Sequence, residues 1–237
     1  MIDFKGQGGI KLSNKFVADK MLARLGWTVP AVTLTLAMLI HWLSGDAREV
    51  PFFISESDYP GPQRILFTSG LFCSGFIICA VSFRLWWTQR QDCRPKLLFI
   101  SMLCGIYTGI NMSLMAFANM YDFLEFHIFT ALGVFQVGML WALMAHLALP
   151  DAQKKGKVLR WIAMIVSFIS FNVMTSALKD AVKGMSKAEA QDALTQLTPL
   201  QHAIDIAAPA EYFLVIGLFI ALASFESDLE VSTSSDQ

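Results

Sequence analysis

Charged residues are scarce in this sequence. Of its 237 residues, 16% are Asp, Glu, Lys or Arg, whereas 55% are hydrophobic. Soluble domains carry about 25% charged residues, so this chain has too little charge for a water-soluble surface of its size. Its 18 basic and 19 acidic residues nearly cancel, and the basic ones are scattered over separate segments. Composition therefore excludes a soluble domain and gives no support for a nucleic-acid partner.

Several motifs of known chemistry are also missing. No lysine lies inside a long apolar segment, so a retinal Schiff base has no attachment point. HExxH, GxSxG and Walker-type sequences do not occur, and the four cysteines have no CxxC spacing. His146 lacks a histidine partner at its expected depth, which argues against two bis-histidine haems. We predict neither a cofactor nor a metal.

Six long apolar segments are present. They cover residues 27–43, 65–83, 97–120, 127–149, 161–178 and 206–224, each close to the ~20 residues that a helix needs to cross a bilayer. The sequence therefore predicts an all-α fold, a polytopic integral membrane protein whose six-transmembrane-helix bundle occupies residues 27–224.

Basic residues set the expected orientation. The first 25 residues and the loops after the second and fourth segments hold 13 of the 18 Lys and Arg. Since positive charge favours the inner side, we predict that both termini are cytoplasmic. The expected location is the inner membrane of a bacterium, or an endomembrane or plasma membrane of a eukaryote.

Three segments lie outside the predicted spans. Residues 1–26 are basic, and they form either an interfacial helix or a solvated leader; the apolar face of that helix would be Leu12, Phe16, Met21, Leu22 and Leu25. The spacing of Ser186 and Glu189 predicts a capping box and a short helix over 186–197. Residues 225–237 are acidic and rich in serine, and we predict a disordered tail.

Small residues recur every four positions in the third segment. These are Ser101, Gly105, Gly109 and Ser113. Such a stripe lets a neighbouring helix approach closely in lipid, and the expected role is structural.

Polar residues concentrate in the outer half of the predicted bundle. Glu211 is the one charged residue that we place inside an apolar segment, about 9 Å deeper than Asp205 at 1.5 Å per residue. Its expected companions at this level are Asn111, Asn119, Asn172, Thr175, Ser176, His41, His127 and His202. Because polar groups in hydrocarbon are costly unless they face one another or water, we expect an outward-opening pocket with Glu211 facing its interior. Pro209 is expected to bend the last helix there.

Three interpretations of this polar layer stay open. It forms a hydrogen-bond network between helices without a ligand, or a pocket for a lipid headgroup or small polar ligand, or a catalytic site. Zinc bound by His127, His202, Asp205 or Glu211 has only weak support, because just His202 and Asp205 are close in sequence.

The first outer loop carries a recognisable pattern. Ile54, Ser55 and Glu56 are followed by Pro60, Pro62 and Phe67, His127 opens the fourth segment, and Ala210-Glu211-Tyr212 lies in the last. Together these resemble the Frag/DRAM/Sfk family of six-span membrane proteins. The resemblance implies a six-helix membrane fold and marks Ser55, Glu56, His127 and Glu211 as family-typical polar positions, without catalytic residues.

Members of that family include autophagy modulators of lysosomes, a Golgi protein of GPI-anchor lipid remodelling, and proteins linked to phosphoinositides and lipid asymmetry. We therefore favour a non-enzymatic, lipid-associated membrane-trafficking or autophagy-type modulator. The alternatives are an intramembrane enzyme of lipid or GPI-anchor remodelling and a structural subunit of a membrane complex. Expected partners are membrane lipids, with a protein partner or a second copy in addition.

The candidate ligand-binding residues are Glu211, His127, Asn111, Asn172, Ser55 and Glu56. Residues 54–58 are predicted to fold over the mouth of the bundle as a lid, with Ser55 and Glu56 meeting His127. The alternative is an ordinary exposed loop whose prolines only shape a turn.

Overall fold

Six long helices form a bundle. The structure, a computed structural model, describes residues 2–3, 8–12, 15–91, 93–150 and 152–234. Its helices are α1 (Asp19–Leu43), α2 (Pro62–Gln89), α3 (Pro95–Met115), α4 (Leu124–Ala148), α5 (Lys154–Ala181), α6 (Lys187–Gln196) and α7 (Gln201–Ser234). All except α6 contain a stretch long and apolar enough to cross a membrane. The predicted all-α, six-span bundle is confirmed.

Both ends of the described chain lie at the same end of the bundle. Glu226, near the end of α7, accepts hydrogen bonds from the Trp27 indole at 2.7 Å and from Arg24 at 3.2 Å, both near the start of α1. We call this the terminal end, and the opposite one the lid end. The cytoplasmic placement of the termini stays a prediction.

The last helix continues well past the predicted span. Residues 225–234 belong to α7, and the side chains of Phe225 and Leu229 are fully buried. The prediction of a disordered tail from residue 225 is therefore wrong over this stretch, whereas residues 235–237 lie outside the described residues. The reason is that Glu226 and Asp228 have partners, since Glu226 pairs with Arg24 and Asp228 with Arg160.

The basic N-terminal segment contains strands. β1 (Ile2–Asp3), β2 (Gly9–Leu12) and β3 (Lys15–Ala18) form an antiparallel sheet in that order. A Cβ on Gly9 would lie 2.3 Å from the carbonyl oxygen of Val17, so glycine allows the close strand contact. Of the two alternatives for residues 1–26, the interfacial helix is wrong, because Leu12 and Phe16 lie in strands and α1 begins only at Asp19.

The small-residue stripe of α3 packs against α2. A Cβ on Gly109 would lie 2.5 Å from the Gly75 carbonyl oxygen, and a Cβ on Gly105 would lie 2.3 Å from Ser82 Oγ. The hydroxyl of Ser113 donates to the Phe72 carbonyl at 3.2 Å. The structural role predicted for the stripe is confirmed.

Two ion pairs are buried at the terminal end. Arg84 of α2 binds Asp19 of α1 through Nε and Nη2, both at 2.6 Å, and Arg160 of α5 binds Asp228 of α7. All four side chains are at most 2% exposed. The sequence analysis assigns these four charges to the loops and ends, and their burial in the bundle is a correction. The helices extend several residues beyond the apolar segments, and these charges enter the bundle in pairs.

The short helix of the last loop forms as predicted. The backbone N–H of Ser186 donates to Glu189 at 2.7 Å, and the Glu189 N–H donates to Ser186 Oγ at 3.3 Å. This reciprocal capping box begins α6 and confirms the sequence prediction.

Candidate functional site: a lidded apolar cavity

A long cavity lies inside the bundle, lined by residues of α1, α2, α3, α4 and α7. Its wall extends from Ile54 and Ser55 at the lid end to Phe225 on α7. Glu211 and Phe225, both in the wall, are 14 residues apart on one helix, a separation of about 21 Å.

The wall of the cavity is mainly hydrocarbon. The lining includes Leu71 of α2, Met112 of α3, Val134 of α4, and Val215 and Leu218 of α7. Polar side chains are few, and three of the five line its lid end: Ser55, His127 and Glu211, with Thr108 and Trp141 deeper in. The cavity is thus an apolar tube with a polar entrance.

A short helix closes the lid end. Ile54–Asp58 forms a 3-10 helix in which Ile54, Glu56, Ser57 and Asp58 are buried, and we call this segment the lid. The N–H of Ile54 donates to Glu211 at 2.7 Å, and the Tyr121 hydroxyl donates to the Glu56 carbonyl at 3.0 Å. The Tyr212 hydroxyl donates to the Phe52 carbonyl just before the lid. The predicted lid is confirmed, and the alternative of an ordinary exposed loop is wrong.

The Glu56 carboxylate stabilises the lid rather than lining the cavity. Arg48 donates to its two oxygens at 2.8 and 3.1 Å, and the Phe53 N–H donates at 2.7 Å. Burial raises the pKa of Glu56, and the bonds from Arg48 and Phe53 oppose that rise. Arg48 also donates to Gln201, which attaches the lid to the start of α7. The expected contact between Glu56 and His127 is wrong, because Arg48 binds the carboxylate instead.

Asp58 is a buried acid of the lid whose carboxylate has little compensation for its burial. Its side chain is 1% exposed, and neither carboxylate oxygen accepts a hydrogen bond from any residue that the structure describes. Arg64 Nε lies 3.8 Å away. Burial raises the pKa of Asp58 to about 7; Arg64 opposes this rise and Asp122 adds to it. The closed lid therefore favours the protonated form of this carboxyl.

Glu211 faces the interior of the bundle. Small residues precede it in α7, where Ala207, Ala208 and Ala210 are buried and allow the lid to approach. One carboxylate oxygen, Oε2, accepts the Ile54 N–H, a donor left free at the first turn of the lid helix. The side chain is 8% exposed and lines the cavity, so its predicted orientation is confirmed. A role in ligand binding stays a prediction.

His127 lines the same end of the cavity. Its Nδ1 lies 2.6 Å from the carbonyl oxygen of Ala118. A carbonyl oxygen only accepts, so Nδ1 carries the proton, and Nε2 of the neutral ring is an acceptor. Ser55, His127 and Glu211 thus all line one cavity, and a shared role in ligand binding stays a prediction.

The sequence matches a protein-family model over most of its length. The family model described as the Frag1/DRAM/Sfk1/Cwh43P N-terminal domain matches residues 21–231, nearly the whole chain. The chain belongs to the Frag1/DRAM/Sfk1 family. It is a multi-pass membrane protein of that family. No match was found among curated proteins or among solved structures.

Two predicted site residues of this Frag1/DRAM/Sfk1 protein lie elsewhere. Asn111 is buried, but its amide donates to the Tyr107 carbonyl at 2.9 Å and packs against Gly133, where a Cβ would lie 2.8 Å from Asn111 Cγ. Asn172 is exposed on α5 and donates to the Phe168 carbonyl at 2.7 Å. Neither lines the cavity, so their predicted place in the pocket is wrong. Each amide is satisfied by its own helix.

The remaining polar layer has structural contacts. His41 is buried with its ring edge-on to Phe52, at 5.2 Å between centroids. Asn119 accepts the N–H groups of Tyr121 and Asp122 and shapes the turn before α4. His202 and Asp205 are exposed on α7, and Thr175 and Ser176 are not among the lining residues. Over the described ranges, no three His, Cys, Asp or Glu side chains cluster closely enough to hold a metal ion.

Sequence reasoning missed the residues that hold the lid and most of the apolar wall. Tyr121 and Arg48 bind Glu56 of the lid, and Gln201 binds Arg48 and the Pro51 carbonyl just before it. Their sequence neighbourhoods carry no motif, because they meet only through the fold. A signal for Tyr212 was available, since it follows Glu211 directly in the family-like pair.

Proposed function

We propose that this Frag1/DRAM/Sfk1 protein binds a membrane lipid, with a hydrocarbon chain in the cavity and its polar end at Glu211, His127 and Ser55. The observation that carries the proposal is the distribution of polarity along the cavity wall, since polar side chains cluster beside the lid and hydrocarbon follows. Ligand sites are typically lined mostly by apolar side chains, with a few placed polar groups that orient the ligand.

The length of the cavity supports a chain rather than a compact ligand. The wall between Glu211 and Phe225 spans about 21 Å, more than half of a hydrocarbon core of about 30 Å. With both termini cytoplasmic, as the basic residues predict, the lid end faces the outer leaflet. A lipid of that leaflet is then the natural occupant.

The proposed role is a non-enzymatic one, in which lipid occupancy and lid position are read by the membrane or by a partner protein. The family resemblance supports a modulator of membrane trafficking or autophagy type. A membrane lipid is the proposed partner, and a protein partner or a second copy of this chain stays a prediction.

An intramembrane enzyme of lipid or GPI-anchor remodelling is the second candidate. One observation favours it: a carboxyl group, an imidazole and a hydroxyl line the same end of one cavity. Turnover of a lipid that is lost in His127→Gln, while lipid binding persists, would favour this candidate over simple binding.

Native mass spectrometry of the detergent-purified protein tests the binding proposal. The wild type is expected to retain lipid, and Val215→Trp, which places an indole in the cavity, is expected to lose most of it. Ile216→Trp is the matched control, because this neighbour is 48% exposed on the outer face of α7. Equal lipid retention in Val215→Trp and the wild type would overturn the proposal.

A further inference from the structure

The polar end of the cavity contains more acceptors than donors. Glu211 Oε2 accepts the Ile54 N–H, while Oε1 has no hydrogen bond to any described residue, although the side chain is about nine-tenths buried and lines the cavity. Oε1 is therefore left as an acceptor at the cavity wall. A ligand in the cavity that supplies a donor would satisfy it.

His127 adds a second acceptor. Its Nδ1 proton is committed to the Ala118 carbonyl, which leaves the Nε2 lone pair of the neutral ring. No hydrogen bond to Nε2 is recorded within the described part of the chain. Ser55 lines the same space, and its hydroxyl, likewise without a recorded partner there, can accept or donate.

Positive charge is absent from the cavity wall. Its lining contains no Lys or Arg among the described residues. The two arginines nearest in sequence to the lid lie beside other acids, Arg48 against Glu56 and Arg64 against Asp58. A carboxylate or phosphate at this end would therefore meet Glu211 without a compensating cation.

We propose that the lipid bound in this cavity has a hydrogen-bond donor, a hydroxyl or an ammonium group, at the end of its chain rather than a carboxylate or phosphate. The donor binds Glu211 Oε1 and His127 Nε2, and the chain lies along α7 towards Phe225. This inference rests on the proposed function, and it specifies the class of lipid.

Three probes with the same hydrocarbon chain test it: oleyl alcohol, oleylamine and oleic acid, each titrated into the purified wild-type protein. We expect the alcohol and the amine to bind at least about 10-fold more tightly than the acid, which corresponds to about 1.4 kcal/mol. Equal or tighter binding of oleic acid, still abolished by Val215→Trp, would overturn the inference and leave the proposed function intact. If none of the probes binds in the cavity, both proposals fail.

One variant separates the two donor groups. In Glu211→Gln an acceptor oxygen remains but the charge is gone, so affinity for oleylamine is expected to fall about 10-fold while that for oleyl alcohol changes less. Asp205→Asn, an exposed acid on the same helix, is the control and should change neither. A loss for oleylamine in Asp205→Asn as large as that in Glu211→Gln would contradict the assignment of Glu211.

Discussion

The backbone N–H of Ile54 donates a 2.7 Å hydrogen bond to the Glu211 carboxylate, across 157 positions of sequence. One side chain inside the last transmembrane helix thus contacts both the lid and the cavity beneath it. Any ligand that competes for this carboxyl also changes the support of the lid. If a ligand binds this carboxyl as we propose, we expect its binding to change the stability of the lid.

Removing the acceptor should release the lid. Glu211→Leu leaves the Ile54 N–H buried without a partner, at a cost of about 1–3 kcal/mol. Hydrogen exchange of residues 54–58 is expected to accelerate, whereas Glu49→Gln, at an exposed acid of the same loop, should leave it unchanged. Exchange as slow in Glu211→Leu as in the wild type would show that the bond does not support the lid.

The two tyrosine hydroxyls should support the lid independently. Tyr121→Phe and Tyr212→Phe each remove a donor to a lid-side carbonyl, and each should weaken lid closure by about 1 kcal/mol. Tyr107→Phe is the matched control, because this tyrosine is exposed on α3. Identical hydrogen exchange of the lid in all three variants would contradict the assigned contacts.

Lid closure should depend on pH through Asp58. Its pKa in the closed lid is about 7, above the ordinary value of 3.8, so the closed state binds the proton more tightly. The contribution of protonated Asp58 to the stability of the closed lid is fully present below about pH 4 and is lost as pH rises through about 7. The largest change in the free energy of lid closure is on the order of 4 kcal/mol. Proteolysis or hydrogen exchange of the lid from pH 4 to 8 measures this.

Asp58→Asn should abolish most of that pH dependence, whereas Glu49→Gln, an exposed acid of the same loop, should preserve it. Lid exchange that slows as pH rises towards 8, after correction for intrinsic exchange rates, would have the wrong sign for this account.

The protein should lose stability when one partner of the buried Arg84–Asp19 ion pair is removed. Arg84→Met leaves Asp19 buried and unpaired, and the expected loss of stability is about 3–5 kcal/mol. Arg24→Met removes a half-exposed partner of Glu226 and should cost less than about 1 kcal/mol. Unfolding in mixed detergent measures both, and similar losses for the two variants would count against the pairing.

The six-helix bundle and part of the candidate site could be predicted from the sequence. Long apolar segments must be helices in a bilayer, and the family-like positions Ser55, His127 and Glu211 all reach one cavity. A polar side chain in an apolar segment does not have to face the cavity. The amides of Asn111 and Asn172 donate to carbonyls of their own helices instead. Hydropathy does not distinguish a charge buried in an ion pair from a charge in a loop, so it does not predict the burial of Arg160 and Asp228.

Photo-crosslinking tests the central claim most directly. A lipid analogue with a diazirine near the end of its chain is incorporated with the purified protein, and adducts are mapped by peptide sequencing. We expect saturable labelling of cavity residues such as Met112, Val134 and Leu218, beyond the unsaturable labelling of outward-facing Ile110, Phe168 and Ile216. Labelling confined to the outward-facing residues would contradict a lipid chain in the cavity.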